Sequence, residues 1–395
     1  MNELPEAVLK PGREKSARRR HPWIFSGAIH AIAGVPAPGD TVRVLGASGE
    51  FIAYAAYSPE SQIRLRVWSF DEAERIDAGF FKRRLERAIA GRADALDETG
   101  ACRLVFAEGD GLPGLIVDRY GAFLVCQFLA AGPERWRETI ATALDELVSP
   151  SGIYERSEAS ARRKEGLPSR RGPLRGAPPP GSVELEIGGL RQLVDLVEGQ
   201  KTGAYLDQRD NRRRVAAHAR GARVLDAYAY TGGFAISCLL AGAASATLID
   251  ASGEALALAE RQAGLNGVAN RCSYLHGNVA PELRRLKEAG ERFDLVILDP
   301  PKFVHSVDQL QRGSRGYKDI NLLGMQLVRP GGLLATFSCS GHVDSALFQK
   351  IVAGAAVDAR REAQILERLA QPPDHPVPLS FPEAEYLKGF VIRIL

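Results

Sequence analysis

Residues 223–233, Arg-Val-Leu-Asp-Ala-Tyr-Ala-Tyr-Thr-Gly-Gly, constrain this chain more than any other stretch. The apolar start reads as a buried strand that turns at Asp226, and after Gly232 and Gly233 the run 234–240 reads as a helix. Adjacent glycines let backbone approach a ligand, and the N–H groups of a helix start point at it. The spacing is not the G-x-G-x-x-G of a dinucleotide site. The next apolar run, 246–250, also ends in an acid, Asp250, which suits it to ribose hydroxyls. Asp226 and Asp250 around two glycines fit an adenosine-containing ligand; an ordinary α/β turn is the competing reading.

From about residue 186 to 395, strand and helix patterns alternate. Strands are expected at 223–226, 246–250, 273–276, 293–299 and 332–338, with two more near 362–369 and 388–394. Helices are expected at 252–265, 280–289, 317–328 and 343–357. Such alternation implies a parallel, doubly wound sheet with its ligands at the carboxyl ends of the strands. Asp226, Asp250, Asp299 and Cys339 all fall at such ends.

Two of those ends carry chemistry. Asp299-Pro300-Pro301-Lys302-Phe303 sets two prolines after a carboxylate. They hold the chain extended and donate no hydrogen bond, making a ledge for a planar base; a plain Pro-Pro strand exit is the alternative. Ser338-Cys339-Ser340-Gly341 places a thiol beside an expected helix start, where its pKa would fall. Cys102, Cys126, Cys238 and Cys272 read as small core residues.

The first 185 residues look different. Residues 1–70 read as a β-rich module with strands at 39–45, 51–57 and 63–68, the first and last alternating. Before them Arg18, Arg19 and Arg20 precede His21, Trp23 and Phe25, a pairing that can hold phosphates and stack on bases. The alternative for the aromatics is the core of a small barrel. Residues 71–185 read as a small α/β segment: a helix at 80–90, strands at 103–107, 115–121 and 122–128, a helix at 134–147 and a strand at 152–156. The Arg-, Pro- and Gly-rich stretch 162–181 reads as a mobile loop.

Composition bounds the function. With 45% hydrophobic and 25% charged residues the chain is an ordinary globular one. No apolar run is long enough to span a bilayer, and the basic N-terminus lacks the apolar core of a secretory signal. Five scattered cysteines without a C-x-x-C pair point to neither a zinc site nor disulfides, and so to a reducing cytoplasm. The net charge of +3 decides little. Its distribution says more. One basic cluster spans Arg13 to His21; a second holds Arg162, Arg163, Lys164, Arg170, Arg171 and Arg175; a third holds Arg209, Arg212, Arg213 and Arg214. Three clusters in a nearly neutral chain suggest a phosphate-backbone partner.

Taken in order, these motifs resemble the class I S-adenosylmethionine-dependent methyltransferases, and more specifically the large-subunit ribosomal RNA cytosine-C5 methyltransferases of the RlmI type. The resemblance covers nearly the whole chain. It rests on Arg19-Arg-His-Pro-Trp-Ile-Phe-Ser-Gly27, Gly109-Asp-Gly-Leu-Pro-Gly-Leu-Ile-Val-Asp118, Gly199-Gln-Lys-Thr-Gly203 and Tyr205-Leu-Asp-Gln-Arg-Asp-Asn-Arg212. It continues through Tyr230-Thr-Gly-Gly-Phe234, Asp299-Pro-Pro-Lys-Phe303 and Ser338-Cys-Ser340. It implies a PUA RNA-binding domain (1–70), a small α/β middle domain (71–185) and a Rossmann-like methyltransferase domain (186–395).

Carried over by motif, Asp226, Gly232 and Gly233 would line the methionine end of the cofactor, and Tyr230, Thr231 and Phe234 would also bind it. Asp250 would hold its ribose, and Tyr205, Gln208, Asp299 and Pro300 would complete its pocket. Asn278 stands where many relatives have an adenine-binding Asp; it keeps an acceptor oxygen. The resemblance makes Cys339 a nucleophile toward C6 of cytosine and Asp299 the group on the N3/N4 edge. Lys302, Glu385 or a water would take the C5 proton. It makes large-subunit ribosomal RNA the partner, bound partly through Arg18, Arg19, Arg20 and Trp23, with no metal and no membrane; a homodimer is left open. Two other readings stand beside it: methylation of an exocyclic amine, which needs no cysteine, and a non-catalytic RNA-binding assembly factor.

Overall fold

The computed structural model describes residues 4–93, 100–158 and 160–395. Of the expected N-terminal and middle segments, residues 1–3, 94–99 and 159 therefore lie outside the described part. The chain forms two compact units.

The first unit comprises Met1–Leu185, Val194–Leu206 and Pro373–Ala384. It contains two sheets. The six-stranded one is built from β1 (Glu6–Leu9), β2 (Trp23–Ile24), β3 (Ile29–Ala33), β4 (Thr41–Leu45), β5 (Phe51–Tyr57) and β6 (Leu65–Ser69), in the order β2-β6-β5-β4-β1-β3. Alternation in β4 buries Val42 and Val44 with Ala53, Ala55, Leu65 and Val67 in a small core. The five-stranded sheet uses β7 (Ala101–Phe106), β8 (Leu115–Tyr120), β9 (Phe123–Phe128), β10 (Gly152–Ser157) and β11 (Arg170–Gly176), in the order β11-β10-β9-β8-β7. A helix over Ala78–Ala90, capped by Asp77, lays Phe80, Phe81, Leu85 and Ala88 against it.

Two expectations for this unit need correcting. The stretch 162–181 is not a mobile loop. It contains β11, paired antiparallel with β10, and Arg162 is buried with its guanidinium on Glu134 at 2.7 Å and on Pro168 O. Its composition misleads because β11 is an edge strand, where Pro173 and two glycines leave no central ladder unmade. The helix expected over 134–147 is two helices, Ala131–Arg135 and Arg137–Val148, which break at Trp136.

The second unit comprises Glu186–Leu193, Asp207–Pro372 and Glu385–Leu395. The hairpin of β12 (Val183–Ile187) and β13 (Leu190–Val194), unforeseen in the sequence, precedes its sheet in the chain. Its sheet holds β14 (Arg223–Ala227), β15 (Ser245–Asp250), β16 (Cys272–His276), β17 (Phe293–Leu298), β18 (Val328–Ser338), β19 (Ala363–Ala370) and β20 (Lys388–Ile394). The order is β16-β15-β14-β17-β18-β20-β19. The five strands β14–β18 are parallel, but β20 runs antiparallel to both β18 and β19. No helix carries the chain from β19 to β20, so the parallel expectation fails for this last pair.

Strand alternation splits the core over the two faces. Val224, Leu248, Ile297 and Phe337 face the helices Gly233–Leu240 and Gly253–Leu265. Leu225, Ile249, Val296 and Leu298 face the helices Val279–Glu288, Leu310–Leu327 and Ser345–Ala359. The chain crosses to opposite sides of the sheet after β14, which opens a crevice at the carboxyl ends of β14 and β17.

Candidate active site

One wall of the crevice is the turn after β14. Tyr228 (φ 65°) and Tyr230 (φ 48°) both take left-handed backbone, a costly conformation for aromatic residues. Surrounding bonds hold them there: Tyr230 N–H donates to Asp250 Oδ2 at 2.8 Å, Ala229 N–H to Ile249 O, and Gly232 N–H to Ala229 O. Gly232 also has positive φ, and a Cβ there would lie 3.0 Å from Leu248 and 3.2 Å from Ala259. Glycine is required on both counts. Asp250 is occupied from the protein side, accepting from Tyr230 N–H and Ser252 N–H.

Asp226 is fully buried. Its Oδ2 accepts from Ala235 N–H at 2.9 Å, while Oδ1 is buried with no hydrogen-bond partner among the described residues. Burial pushes its pKa up to about 7; the negative charges of Asp299 and Asp250 push the same way, against Ala235 N–H and Arg212. Three carboxylates thus converge on one crevice, and one carries an unmet acceptor. Such a site fits a cationic ligand with N–H donors.

The other wall is made by the loops after β17 and β18. Ser340 ties them together. Its buried Oγ accepts from Val304 N–H at 3.2 Å and lies 2.9 Å from the Tyr317 hydroxyl, and its own N–H donates to Ser338 Oγ. Phe303 packs on Tyr317, with ring centroids 4.7 Å apart. From β20, Lys388 Nζ donates to Ser340 O at 2.8 Å and Val343 O at 2.6 Å. The strand register sets Leu298 beside Thr336, so Asp299 and Cys339 emerge from neighbouring strands one and three residues later. Cys339 is partly exposed, unlike buried Cys102, Cys126 and Cys238, and Cys272 is half-buried.

One physical reason given for Cys339 fails. The following helix begins at Ser345 with Asp344 as its cap, so the thiol is not in a helix first turn. The other expected residues distribute as follows. Thr231 and Gly233 sit on the turn; a side chain at Gly233 would meet the Arg212 guanidinium at 2.7 Å. Phe234 is core, packed on Phe337, and offers the crevice only backbone. Gln208 is buried and accepts from Asn211. Asn278 caps the start of its helix without a side-chain hydrogen bond and is exposed. Pro300 is buried and Lys302 half-buried. Tyr205 belongs to the first unit, where its hydroxyl donates to Gln200. Ser340, Tyr317, Arg212 and Lys388 were not foreseen as site residues; only spacing in three dimensions brings them there.

The basic clusters fare unequally. In the second, Arg170 pairs with Glu134, Arg171 with Glu198 and Arg175 with Glu138. In the third, Arg209 is buried against Asp210 and Arg214 pairs with Glu367. Of these only Arg209 is buried; the other pairs lie at the surface. In the first, Arg18, Arg19 and Arg20 are exposed; Arg18 pairs with Glu50 and Arg20 lies over Phe70. Trp23 is half-buried, its indole N–H on Glu108 at 2.7 Å and its ring on Phe381, whereas Phe25 is half exposed. Among the described residues no group of His, Cys, Asp and Glu could hold a metal, and no helix is long and apolar enough to cross a membrane.

A doubly wound sheet with a glycine turn and three carboxylates at its switch point defines a nucleotide-type transferase cleft. Known proteins name the class. A family model described as S-adenosylmethionine-dependent methyltransferase matches residues 173–393, and one described as PUA-like domain matches residues 7–70. The chain is 48% identical over 390 residues to ribosomal RNA large subunit methyltransferase I of Shewanella denitrificans, with 98% of each chain covered. It is 46% identical to the protein of that name from Klebsiella pneumoniae, with 99% of each covered. A methyltransferase crystallised with SAH shares the fold at 20% identity, with a TM-score of 0.86 over 98% of this chain and 99% of the other. The chain belongs to the ribosomal RNA large subunit methyltransferase I family of S-adenosylmethionine-dependent methyltransferases. The residues present fit that cofactor: the ammonium and sulfonium charges of its methionine end would complement the orphaned Asp226 oxygen and the neighbouring carboxylates.

Proposed function

We propose that this enzyme transfers a methyl group to C5 of a cytosine in large-subunit ribosomal RNA through a covalent bond to Cys339, in the cytoplasm. The observation that carries this reading is the bracing by Ser340, which fixes the loops bearing Asp299 and Cys339 beside the three-carboxylate crevice. Asp226, the 230–233 turn, Asp250, Asn278 and Pro300 would hold the cofactor, with Gln208 buried behind the turn. When bound, S-adenosylmethionine supplies an electrophilic methyl group. The chain does the rest. C5 of cytosine is a weak nucleophile. Cys339 Sγ adds to C6, and the C5–C6 electron pair moves to C5, which becomes an enamine carbon able to take the methyl. Asp299, in its protonated form, donates to N3 and accepts from the N4 amine, so the negative charge brought by the thiolate is neutralised on the ring. Lys302, Glu385 or a water then takes the C5 proton; the returning electrons reform the C5–C6 double bond and expel the thiolate. The base must leave its helix to reach the crevice, so the target is a loop or a flipped nucleotide.

The test is methyl transfer from labelled S-adenosylmethionine to unmodified large-subunit ribosomal RNA, followed by nucleoside analysis. Label in 5-methylcytidine supports the reading, and label in an N-methylated base overturns it.

Two further outcomes are expected. Asp226 gains charge as pH rises through about 7, and a bound cation favours the charged form. Cofactor affinity measured by calorimetry should therefore rise with pH through this window and level off above it. The sign for stability is opposite. A carboxyl whose folded pKa exceeds its unfolded value of about 3.9 costs stability as pH rises between the two values. Asp226→Asn should accordingly raise the melting temperature of the ligand-free protein at pH 8, leave it unchanged near pH 4, and weaken cofactor binding at least tenfold. For RNA, replacing Arg18, Arg19 and Arg20 by Ala should flatten the salt dependence of binding by about 0.7 in log–log slope for each single-stranded phosphate these arginines neutralise. An unchanged slope would remove this cluster from the RNA interface.

A further inference from the structure

We propose that Lys388 is a positioning residue for Cys339: its buried ammonium pins the 339–343 turn and presents a positive charge to the thiolate at neutral pH. This rests on the reading of Cys339 as nucleophile.

Lys388 opens β20 and pairs across the ladder with Ser338, the last residue of β18. Its side chain is buried, and Nζ donates to Ser340 O at 2.8 Å and to Val343 O at 2.6 Å. Those carbonyls bracket the turn that follows Cys339, so one group fixes both of its ends. Two carbonyls satisfy two of the three N–H donors but neutralise no charge. A buried ammonium without a counter-charge is costly. The charged and titratable groups around it come from every neighbouring element. Cys339 follows β18, Asp344 lies in the loop beyond it, Glu385 precedes β20, Lys302 follows β17, and Tyr317 reaches Ser340 from its helix. Burial lowers the Lys388 pKa to about 8; Cys339, Glu385 and Asp344 act against that, and Lys302 adds to it. The attraction is mutual: a thiolate that favours the ammonium is favoured by it. Asp344 and Glu385 lie toward solvent and are screened, while the thiol is the group that reacts.

The experiment compares wild type with Lys388→Met, which keeps length and loses charge, and Lys388→Arg, which keeps charge. Iodoacetamide alkylation of the Cys339 peptide is followed by mass spectrometry against pH, alongside methyl-transfer kinetics. In the wild type, half-maximal alkylation should fall at least one pH unit below the ordinary thiol value of about 8.5, and in Lys388→Met it should return to that value or above. Turnover of Lys388→Met should drop tenfold or more at pH 7, recover toward pH 9 as the thiol ionises unaided, and leave KM for the cofactor unchanged. Lys388→Arg should keep most of the activity. Equal alkylation midpoints in wild type and Lys388→Met, or an equal activity loss at pH 7 and pH 9, overturn the proposal. A wild-type midpoint at or above about 8.5 does so even if the variant fails to fold. Full cytosine methylation by Cys339→Ala would instead overturn the nucleophile reading, so the two failures are distinguishable.

Discussion

Cys339→Ala should bind S-adenosylmethionine as the wild type does and yet lose turnover on ribosomal RNA by on the order of 10⁴-fold or more, the scale on which removal of a nucleophile from a coupled site acts. The asymmetry follows from the fold. The cofactor wall is the turn after β14, anchored by Asp250 and the Ala229 and Gly232 backbone bonds. Cys339 stands on the other wall, beyond β18. The loss therefore belongs in kcat. RNA carrying 5-azacytidine gives the sharper readout. Its ring has nitrogen at position 5, so no C5 proton can leave and the S–C6 bond persists. Wild type should be trapped as an adduct stable to denaturation, and Cys339→Ala should give none. Adduct formation by the alanine variant, or methylation at the wild-type rate, would return Cys339 to a packing role and move the chemistry to an exocyclic amine.

Much of this architecture is written in one dimension. The strands β14, β15, β17 and β18 announce themselves as apolar runs leading to Asp226, Asp250, Asp299 and the Ser-Cys-Ser turn, because strands buried on both faces are continuously hydrophobic. The acids mark the ends, since a carboxylate there has solvent or ligand to meet. What the sequence hides are features set by distant partners. The antiparallel insertion of β20 depends on where β19 leaves its neighbours, and no local pattern encodes it. Arg162 and Arg209 read as surface cations because the carbonyl and carboxylate partners that permit their burial are out of view in the chain. The Ser340 brace and Lys388 are invisible for the same reason: a serine and a lysine have no signature until the loops they join are seen side by side.

That brace carries the second large effect. Ser340 Oγ accepts from the buried Val304 N–H and is a close partner of the Tyr317 hydroxyl. Ser340→Ala keeps the shape and removes the oxygen, stranding a buried donor at a cost of about 1–3 kcal/mol, with the tyrosine hydroxyl adding to it. In a unit of this size each kcal/mol lowers the melting temperature by roughly 2–4 °C, so a fall of several degrees is expected. The kinetic effect should be larger than the stability effect suggests. Val304 sits five residues beyond Asp299 and Ser340 sits next to Cys339, so a loosened brace lets the two reacting side chains drift independently. A misplacement of about 1 Å can cost on the order of 10²-fold in rate. The expected result is therefore a protein that is folded at 25 °C, binds the cofactor with unchanged affinity, and turns over about 100-fold more slowly. Tyr317→Phe removes only one arm of the brace and should cost far less. Combined with Ser340→Ala it should add less than it costs alone, because one partner of its hydroxyl is already gone while Ser338 remains. Additive losses in the double variant would mean that Tyr317 acts through some other neighbour, and unchanged turnover in Ser340→Ala would mean that the two loops keep their register without the serine.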